Sequence, residues 1–215
     1  MLSRKRAFDL ICTSLALIAI IPLGILLYPT LLFLIDKPII FKQKRIGKNG
    51  QEFVMYKLRS MNKNAQSIKS KYSAKNEAPA PMFKITMDPR FIKKKIKLPL
   101  LKRPIIIEIG RYLSQSGIDE IPQFLNILKG EMSLIGPRPL PVEEANALQK
   151  IDGKWFKWRH NVKPGIFSIW ALDSKHNKSF IYWKKLEQET LQMTIGEQIK
   201  VISKIIMKQL KRALF

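Results

Sequence analysis

No side chain from Leu10 to Ile35 carries a charge. At about 1.5 Å per residue a helix of that length reaches about 39 Å, enough to cross a hydrocarbon core of about 30 Å. The run therefore predicts a membrane helix, and its length argues against a secretory leader. Pro22 lies near its middle and Pro29 follows. A proline removes a backbone donor and crowds the preceding turn, so a kink or break is expected at Pro22. Arg4, Lys5 and Arg6 precede the run, and Lys37, Lys42, Lys44, Arg45 and Lys48 follow it. Positive flanks favour the cytoplasmic side. Two of them favour a helix-break-helix over residues 1–36 that dips into one leaflet and returns. A kinked single span is the other reading. Asp9, at the start of the run, is a candidate to cap the helix or pair with an arginine.

Past the apolar run the pattern changes. Pro38 to Phe41 and Glu52 to Lys57 are short β-leaning runs. Between them, Arg45-Ile-Gly47-Lys-Asn-Gly50 is rich in turn residues, which predicts a hairpin. Asn62 to Pro81 is polar and predicts a helix followed by a loop. Phe91 to Glu108 mixes a lysine run with apolar and proline residues, and reads as a membrane-facing or packed loop. Asp119 to Lys129 has Ile121, Phe124, Leu125 and Leu128 at helical spacing, Pro122 in the first turn and Gly130 as a stop. Lys154 to His160 alternates aromatic and basic residues, which suits a membrane-water interface.

From about Thr194 to Leu214, Ile195, Ile199, Ile202, Ile206 and Leu210 fall on one helical face. Lys200, Lys204, Lys208 and Arg212 fall on another. That pattern suits a helix lying on an anionic surface; an amphipathic core helix with a solvated basic side fits equally well. The expected fold is mainly α with a small β-hairpin (α+β). The expected units are a membrane hairpin at 1–36, a catalytic domain at 37–193, and a surface helix at 194–215 packed on that domain.

Composition narrows the partners. The 215 residues carry a formal net charge of +23, which draws nucleic acid, an anionic leaflet or a phosphorylated molecule. A hydrophobic fraction of 46% excludes a disordered basic tail. With Cys12 as the only cysteine, no intrachain disulfide can form. His160 and His176 show no metal-like spacing with each other or with Cys12. Neither a glycine-rich phosphate loop nor a recognised nucleic-acid motif is present, so no nucleic-acid partner is expected.

The candidate chemistry centres on Asp119 and Glu120 at a helix start. Two acids in a first turn commonly do no more than complement the helix dipole. Adjacent helical side chains diverge by about 100°, however, so one carboxylate can face a reacting phosphorus while the other faces a cation. Phosphoryl transfer needs an in-line attacker and neutralised oxygens. Glu120 could hold Mg²⁺, which takes oxygen ligands. Arg138, between Pro137 and Pro139, sits on a stiff loop, and its planar fork suits a diphosphate. Lys57 and Arg59 alternate on a strand and face one side together. Arg90 and Arg111 are further candidates for phosphate contact.

These residues carry a family resemblance. Matching runs are Lys5-Arg6-Ala-Phe8-Asp9 leading to Pro22, Gln43-Lys-Arg45-Ile-Gly47, Phe53 to Met61, and Asp88-Pro-Arg90. They continue through Ile109-Gly-Arg111, Ile118 to Gln123, Asn126 to Pro139, and Val162-Lys163-Pro164-Gly165-Ile166. The chain resembles the monotopic polyprenyl-phosphate phosphoglycosyl transferases, bacterial sugar transferases that begin glycan assembly on a lipid carrier.

The resemblance implies that Asp119 attacks the β-phosphate of a nucleotide diphosphosugar, expected to be a UDP-sugar. A phosphosugar-aspartate forms, and undecaprenyl phosphate then takes the phosphosugar. It also implies Glu120 as a Mg²⁺ ligand and Lys57, Arg59, Arg90, Arg111, Arg138 and Lys163 as phosphate-binding residues. Pro22 would be the hairpin break, on the cytoplasmic face of the bacterial inner membrane. A homodimer is compatible with the sequence.

Four departures stand out. Ser114 replaces a usual arginine, residues 91–108 look inserted, Ile21 replaces a common serine, and Phe167-Ser-Ile-Trp170-Ala171 replaces a Thr-Gly-x-Trp-Gln run. They motivate a second reading, a family member that binds lipid phosphate or a partner enzyme without turnover. Charge alone motivates a third, a membrane-tethered nucleic-acid binder.

Overall fold

The computed structural model describes residues 3–35, 37–97, 103–173 and 179–214. Helix α1 runs from Arg4 to Leu34. The Ser3 side chain caps it by accepting from the Arg6 amide. It is long and apolar enough to cross a membrane, by length and composition. Both prolines lie inside it, and the break expected at Pro22 is not present as an interruption. A proline deletes one hydrogen bond of the ladder, and the intact turns on either side carry the helix through.

The two ends of α1 are fastened to one body. Phe8, Cys12, Ala16, Leu17 and Ile20 pack on a cluster formed by Phe53, Met55, Phe124, Ile127, Met132 and Leu134. Leu31 and Leu34 pack on a second cluster of Ile35, Ile92 and Leu113. Between these contacts the helix is bare: Ile25 and Leu26 are 70% and 74% exposed. Among the described residues Asp9 has no arginine partner. It is buried and accepts from the Ser133 hydroxyl (2.8 Å) and the Leu134 amide (3.1 Å). Arg6 donates to the Ile127 and Leu128 carbonyls, which ties the helix start to the stretch following the acid pair.

Strands β1 (Ile40–Ile46) and β2 (Glu52–Leu58) form the expected hairpin, longer than its β-leaning runs. Asn49 and Gly50 take positive φ at its turn. The register pairs Phe41 with Lys57, Gln43 with Met55 and Arg45 with Phe53. Directly opposed residues share a face, so Phe41, Gln43, Arg45, Lys57 and Arg59 project to the same side.

Residues 62–81 form turns and a short 3₁₀ segment, Lys69–Lys75, rather than a full helix. The stretch lacks an apolar stripe that would hold a helix against the body. Residues 91–108 are not a plain loop. β3 (Lys94–Ile96) and β4 (Ile105–Ile107) pair antiparallel, and Lys94 stands over the Phe33 ring of α1 at 5.5 Å.

Helix α2 (Ile109–Ser116) ends at Gly117, whose φ is +74°. A 3₁₀ segment, Ile118–Gln123, carries the acid pair and runs into α3 (Phe124–Lys129). Gly130 closes α3 in the left-handed region, as expected from its place after the helix. The expected single helix is thus split, with the carboxylates on its tighter first part. β5 (Ser133–Ile135) lies parallel to β7 (Gly165–Phe167), and β6 (Leu140–Pro141) pairs with β1.

Helices α4 (Val142–Ile151), α5 (Gly153–Arg159) and α6 (Phe180–Gln192) complete a cluster around Leu140, Leu148, Trp155 and Trp183. This relocates the aromatic-basic run expected at a membrane interface. Trp155, Arg159 and His160 are buried, and Arg159 meets Glu187 in a two-point pair at 2.7 and 3.0 Å. Burial, then the Arg159 charge, pushes His160 down to about 4. Alternation of rings and cations suits a buried ion pair walled by aromatics as well as it suits an interface.

In α7 (Ile195–Leu214), Ile205 is the buried isoleucine, while Ile199, Ile206 and Leu210 are exposed. Lys208 departs from a solvated stripe: its ammonium donates to the Ala171 and Leu172 carbonyls at 3.0 and 2.9 Å. The buried Arg159–Glu187 pair gives a direct stability test. Glu187→Gln leaves an uncompensated buried guanidinium and is expected to cost about 3–5 kcal/mol. A thermal or denaturant melt against the parent chain measures it.

Candidate active site

The acid pair owes its position to Gly117. Its positive φ is a conformation that side chains rarely adopt, and a Cβ there would meet the Gln209 amide at 2.5 Å. The chain turns sharply off α2 and starts the 3₁₀ segment against β2. Asp119 is 4% exposed. Lys57 of β2 bridges the pair: its ammonium lies 2.8 Å from Glu120 Oε1 and 3.9 Å from Asp119 Oδ2.

Their environments separate the two carboxyls. Burial pushes Asp119 up to about 7, against the pull of Lys57; the neighbouring Glu120 charge adds to the rise. Burial acts on Glu120 in the same sense, but the Lys57 charge and hydrogen bond, with Arg138, leave it below its usual range. One lysine therefore secures Glu120 as an anion and only partly offsets the cost of ionising Asp119.

The loop carrying Arg138 is held by its backbone. Arg45 Nη1 donates to the Pro139 carbonyl at 2.8 Å, and Arg159 Nη2 donates to the Arg138 carbonyl at 2.7 Å. The Gly165 amide donates to the Pro137 carbonyl at 2.9 Å. A Cβ on Gly165 would sit 2.0 Å from the Gly136 nitrogen, so only glycine allows this approach. With its main chain clamped, Arg138 extends its guanidinium over the Trp170 ring at 5.4 Å.

Two cavities meet at this point. The larger, about 480 Å³, takes in Ser114, Glu120, Gln123, Trp170, Lys208 and Arg212. The smaller, about 190 Å³, takes in Phe41, Gln43, Ser60, Asn62, Gln66 and Arg90. Arg45, Lys57, Asp119 and Arg138 line both. Arg45 is 8% exposed, and its Nε has no hydrogen-bond partner. Burial, then the Arg138 charge, lowers it to about 9. A buried cation beside a second cation favours an anion between them.

Among the residues expected at the site, Lys57, Asp119, Glu120 and Arg138 converge, and Arg59 lines the smaller cavity while donating to the Pro38 carbonyl. Arg90 also lines the smaller cavity, but Asp88 engages its guanidinium at 2.6 Å. Arg111 pairs with Glu108 at 3.0 Å, and Lys163 lies beside Gly130, with its ammonium 3.5 Å from where a Cβ would stand there. Neither lines the two cavities. His176 falls outside the described residues.

Arg45, Lys84, Trp170 and Lys208 are additions that sequence reasoning did not assign to the site. Alternation along β1 sets Arg45 on the face of Lys57 once the register is known. Lys84 stands 5.1 Å over the Trp170 ring, and burial, then the Arg138 charge, lowers it to about 8.

The raised Asp119 carboxyl is a stability cost with a defined pH window. Above about pH 7 the acid is ionised in both native and unfolded chains, and the full cost is present. Below about pH 4 it is protonated in both, and the cost is gone. Asp119→Asn, melted in metal-free buffer, is expected to gain at least about 1 kcal/mol at pH 8, roughly 2–4 °C. The gain should fade as pH drops from 7 to 4.

Comparison with known proteins matches residues 2–214 to the family described as bacterial sugar transferase. Galactosyl transferase CpsE of Streptococcus agalactiae is 36% identical over 167 residues, 77% of this chain and 33% of its own length. Exopolysaccharide production protein ExoY of Sinorhizobium fredii is 30% identical over 176 residues, 82% of this chain and 71% of its own. Undecaprenyl-phosphate galactose phosphotransferase of Salmonella typhimurium is 29% identical over 180 residues, 82% of this chain and 34% of its own. The chain thus spans about a third of two of these relatives and most of the third. By the extent of the family match, the chain belongs to the bacterial sugar transferase family.

Proposed function

We propose that this protein transfers a sugar phosphate from a UDP-sugar to undecaprenyl phosphate. The observation that carries the reading is the buried Asp119 at the meeting of two cavities, with Lys57, Arg45 and Arg138 beside it. Relatives named for undecaprenyl-phosphate galactose and UDP-glucose transfer support the acceptor and donor class.

An ionised Asp119 oxygen bonds to the β-phosphorus. The bond from that phosphorus to the oxygen bridging the α-phosphate breaks, and UMP leaves with the electron pair. A phosphate oxygen of the lipid then attacks the same phosphorus and releases the carboxylate. A donor diphosphate would be bracketed by Arg45, Arg138 and Lys57, whose charges offset the charge developing on its oxygens.

The residues present fit Mg²⁺ bound mainly through substrate. Among the described residues no cluster of three or more acidic, histidine or cysteine ligands exists. Mg²⁺ commonly takes one or two carboxylates together with phosphates and waters. Glu120 is 26% exposed at its side chain and lines the larger cavity. It would be the protein ligand, through the oxygen that Lys57 leaves free. Bound there, the ion would supply neutralising charge to the diphosphate.

The reaction would take place on the cytoplasmic face of the inner membrane. Support comes from α1, whose two ends pack on one body while its middle is bare. A re-entrant course puts both ends on one side of the bilayer, and the exposed isoleucines of α7 would rest on the same surface.

UMP release from a panel of UDP-sugars, with undecaprenyl phosphate in mixed micelles, tests the reading. Wild type should release UMP and need a divalent ion. Asp119→Asn should be inactive, and Lys57→Ala should lose about 10²–10³-fold in kcat/KM. Full turnover by Asp119→Asn would refute the mechanism. Absence of release with every donor would favour a binding-only member.

A further inference from the structure

The β3–β4 hairpin lines neither cavity, and the reaction proposed above leaves it without a role. Its base is nevertheless stitched to the site. The Ile92 amide donates to the carbonyl of Ser60, a residue of the smaller cavity, and the Gly110 amide donates to the Ile92 carbonyl, each at 3.0 Å. Ile92 also shares a cluster with Ile35, on which Leu31 and Leu34 of α1 pack. The acid at the base is already matched: Glu108 meets Lys93 at 2.6 Å and Arg111 at 3.0 Å.

Beyond the base the hairpin is apolar and cationic. Ile96 stands opposite Ile105, and Lys95 opposite Ile106. Ile105 and Ile106 are 42% and 55% exposed. Lys95, Lys97 and Arg103 are exposed as well, and none pairs with an acid among the described residues. A single exposed isoleucine needs no explanation. Two adjoining ones, edged by three unmatched cations, complement an apolar layer with a negative surface.

The position of the hairpin along α1 supplies that layer. Every residue from 21 to 30 is exposed. Phe33, 62% exposed, stands about one turn past that stretch, at the end of α1 that returns to the body. Lys94 holds its ammonium 5.5 Å over the Phe33 ring. A ring with a lysine head beside it suits the boundary between hydrocarbon and headgroups. With α1 dipped in a leaflet, the hairpin falls at headgroup depth.

We propose that the β3–β4 hairpin is a second membrane contact, resting on the same anionic leaflet into which α1 dips. Ile105 and Ile106 sit at the boundary of headgroups and acyl chains, and Lys95, Lys97 and Arg103 meet lipid phosphates. The inference rests on the re-entrant course proposed for α1. A dipped helix alone can roll about its axis, and a contact beside that axis resists the roll. Helix α2 starts two residues after β4 and leads to Gly117 and the acid pair, so the restraint is passed directly to the site.

The experiment uses the full chain in phosphatidylcholine bilayers with and without phosphatidylglycerol. In a Cys12→Ala background, Ile106→Cys and, separately, Leu26→Cys carry a fluorophore, and lipids with a quencher placed high or low on the acyl chain read its depth. The label at 106 should be quenched more by the shallow quencher than by the deep one, and the label at 26 by both. Phosphatidylglycerol should increase the quenching at 106. Lys95→Gln, Lys97→Gln and Arg103→Gln combined should abolish that increase and leave the label at 26 unchanged.

Quenching at 26 without quenching at 106 overturns the proposal and leaves the dip of α1 standing. Absence of quenching at both positions removes the dip and the contact together. Pyrene at 106 that gives excimer emission in place of lipid quenching assigns the face to a second copy of the chain, and overturns the proposal as well.

Discussion

One lysine between two carboxylates organises the site. Lys57 meets Glu120 at 2.8 Å and Asp119 at 3.9 Å, close enough to anchor the first and only temper the second. A carboxylate 4% exposed is expensive to ionise, and one partly shared ammonium does not remove that cost. The remaining favourable charge stands on Arg45 and Arg138, at the junction of the cavities. Neither forms an ion pair with an acid among the described residues. The site therefore holds cations gathered without enough anions, around an acid not fully supplied with cations. A bound diphosphate would relieve the first imbalance. The second leaves Asp119 weakly solvated when ionised, which is the condition the proposed attack on phosphorus needs.

Holding such a site together requires rigid supports from distant parts of the chain. Arg45 Nη1 and Arg159 Nη2 grip the carbonyls on either side of Arg138's link to Pro139. Arg159 is in turn fixed by the buried Glu187 of α6. Gly117 turns the acid pair toward β2, and Gly165 lets β7 close on the loop from behind. Arg6 and Asp9 join the start of α1 to the same frame. The apolar helix and the buried Asp119 carboxylate are thus parts of one mechanical unit. If α1 dips into a bilayer as proposed, that linkage would keep the acid at a constant depth relative to the membrane surface.

Much of this was legible from local pattern. The hairpin followed from two β-leaning runs around Asn49-Gly50, and the end of α3 from Gly130. Asp119, Glu120, Lys57 and Arg138 stood out as chemistry-bearing residues, and they converge. What was not legible depends on tertiary partners. The aromatic-basic run at 154–160 has a buried role because Glu187, far along the chain, supplies the counter-charge. The β3–β4 pairing joins a lysine run to an isoleucine run with no turn signature that local spacing reveals. Lys208 belonged to a regular basic stripe, and only its docking on the Ala171 and Leu172 carbonyls turns it inward. Arg45 needed the strand register before its side could be known.

Transient bonding between Asp119 and phosphorus is tested most directly by mass spectrometry of the rapidly quenched enzyme. Mixed with a UDP-sugar and a divalent ion but no lipid phosphate, the protein should gain one sugar phosphate, mapped to the peptide containing Asp119, with one UMP released per adduct. Addition of undecaprenyl phosphate should then discharge it. An unmodified Asp119 peptide, with UMP appearing only when donor and lipid acceptor are present together, would contradict the account.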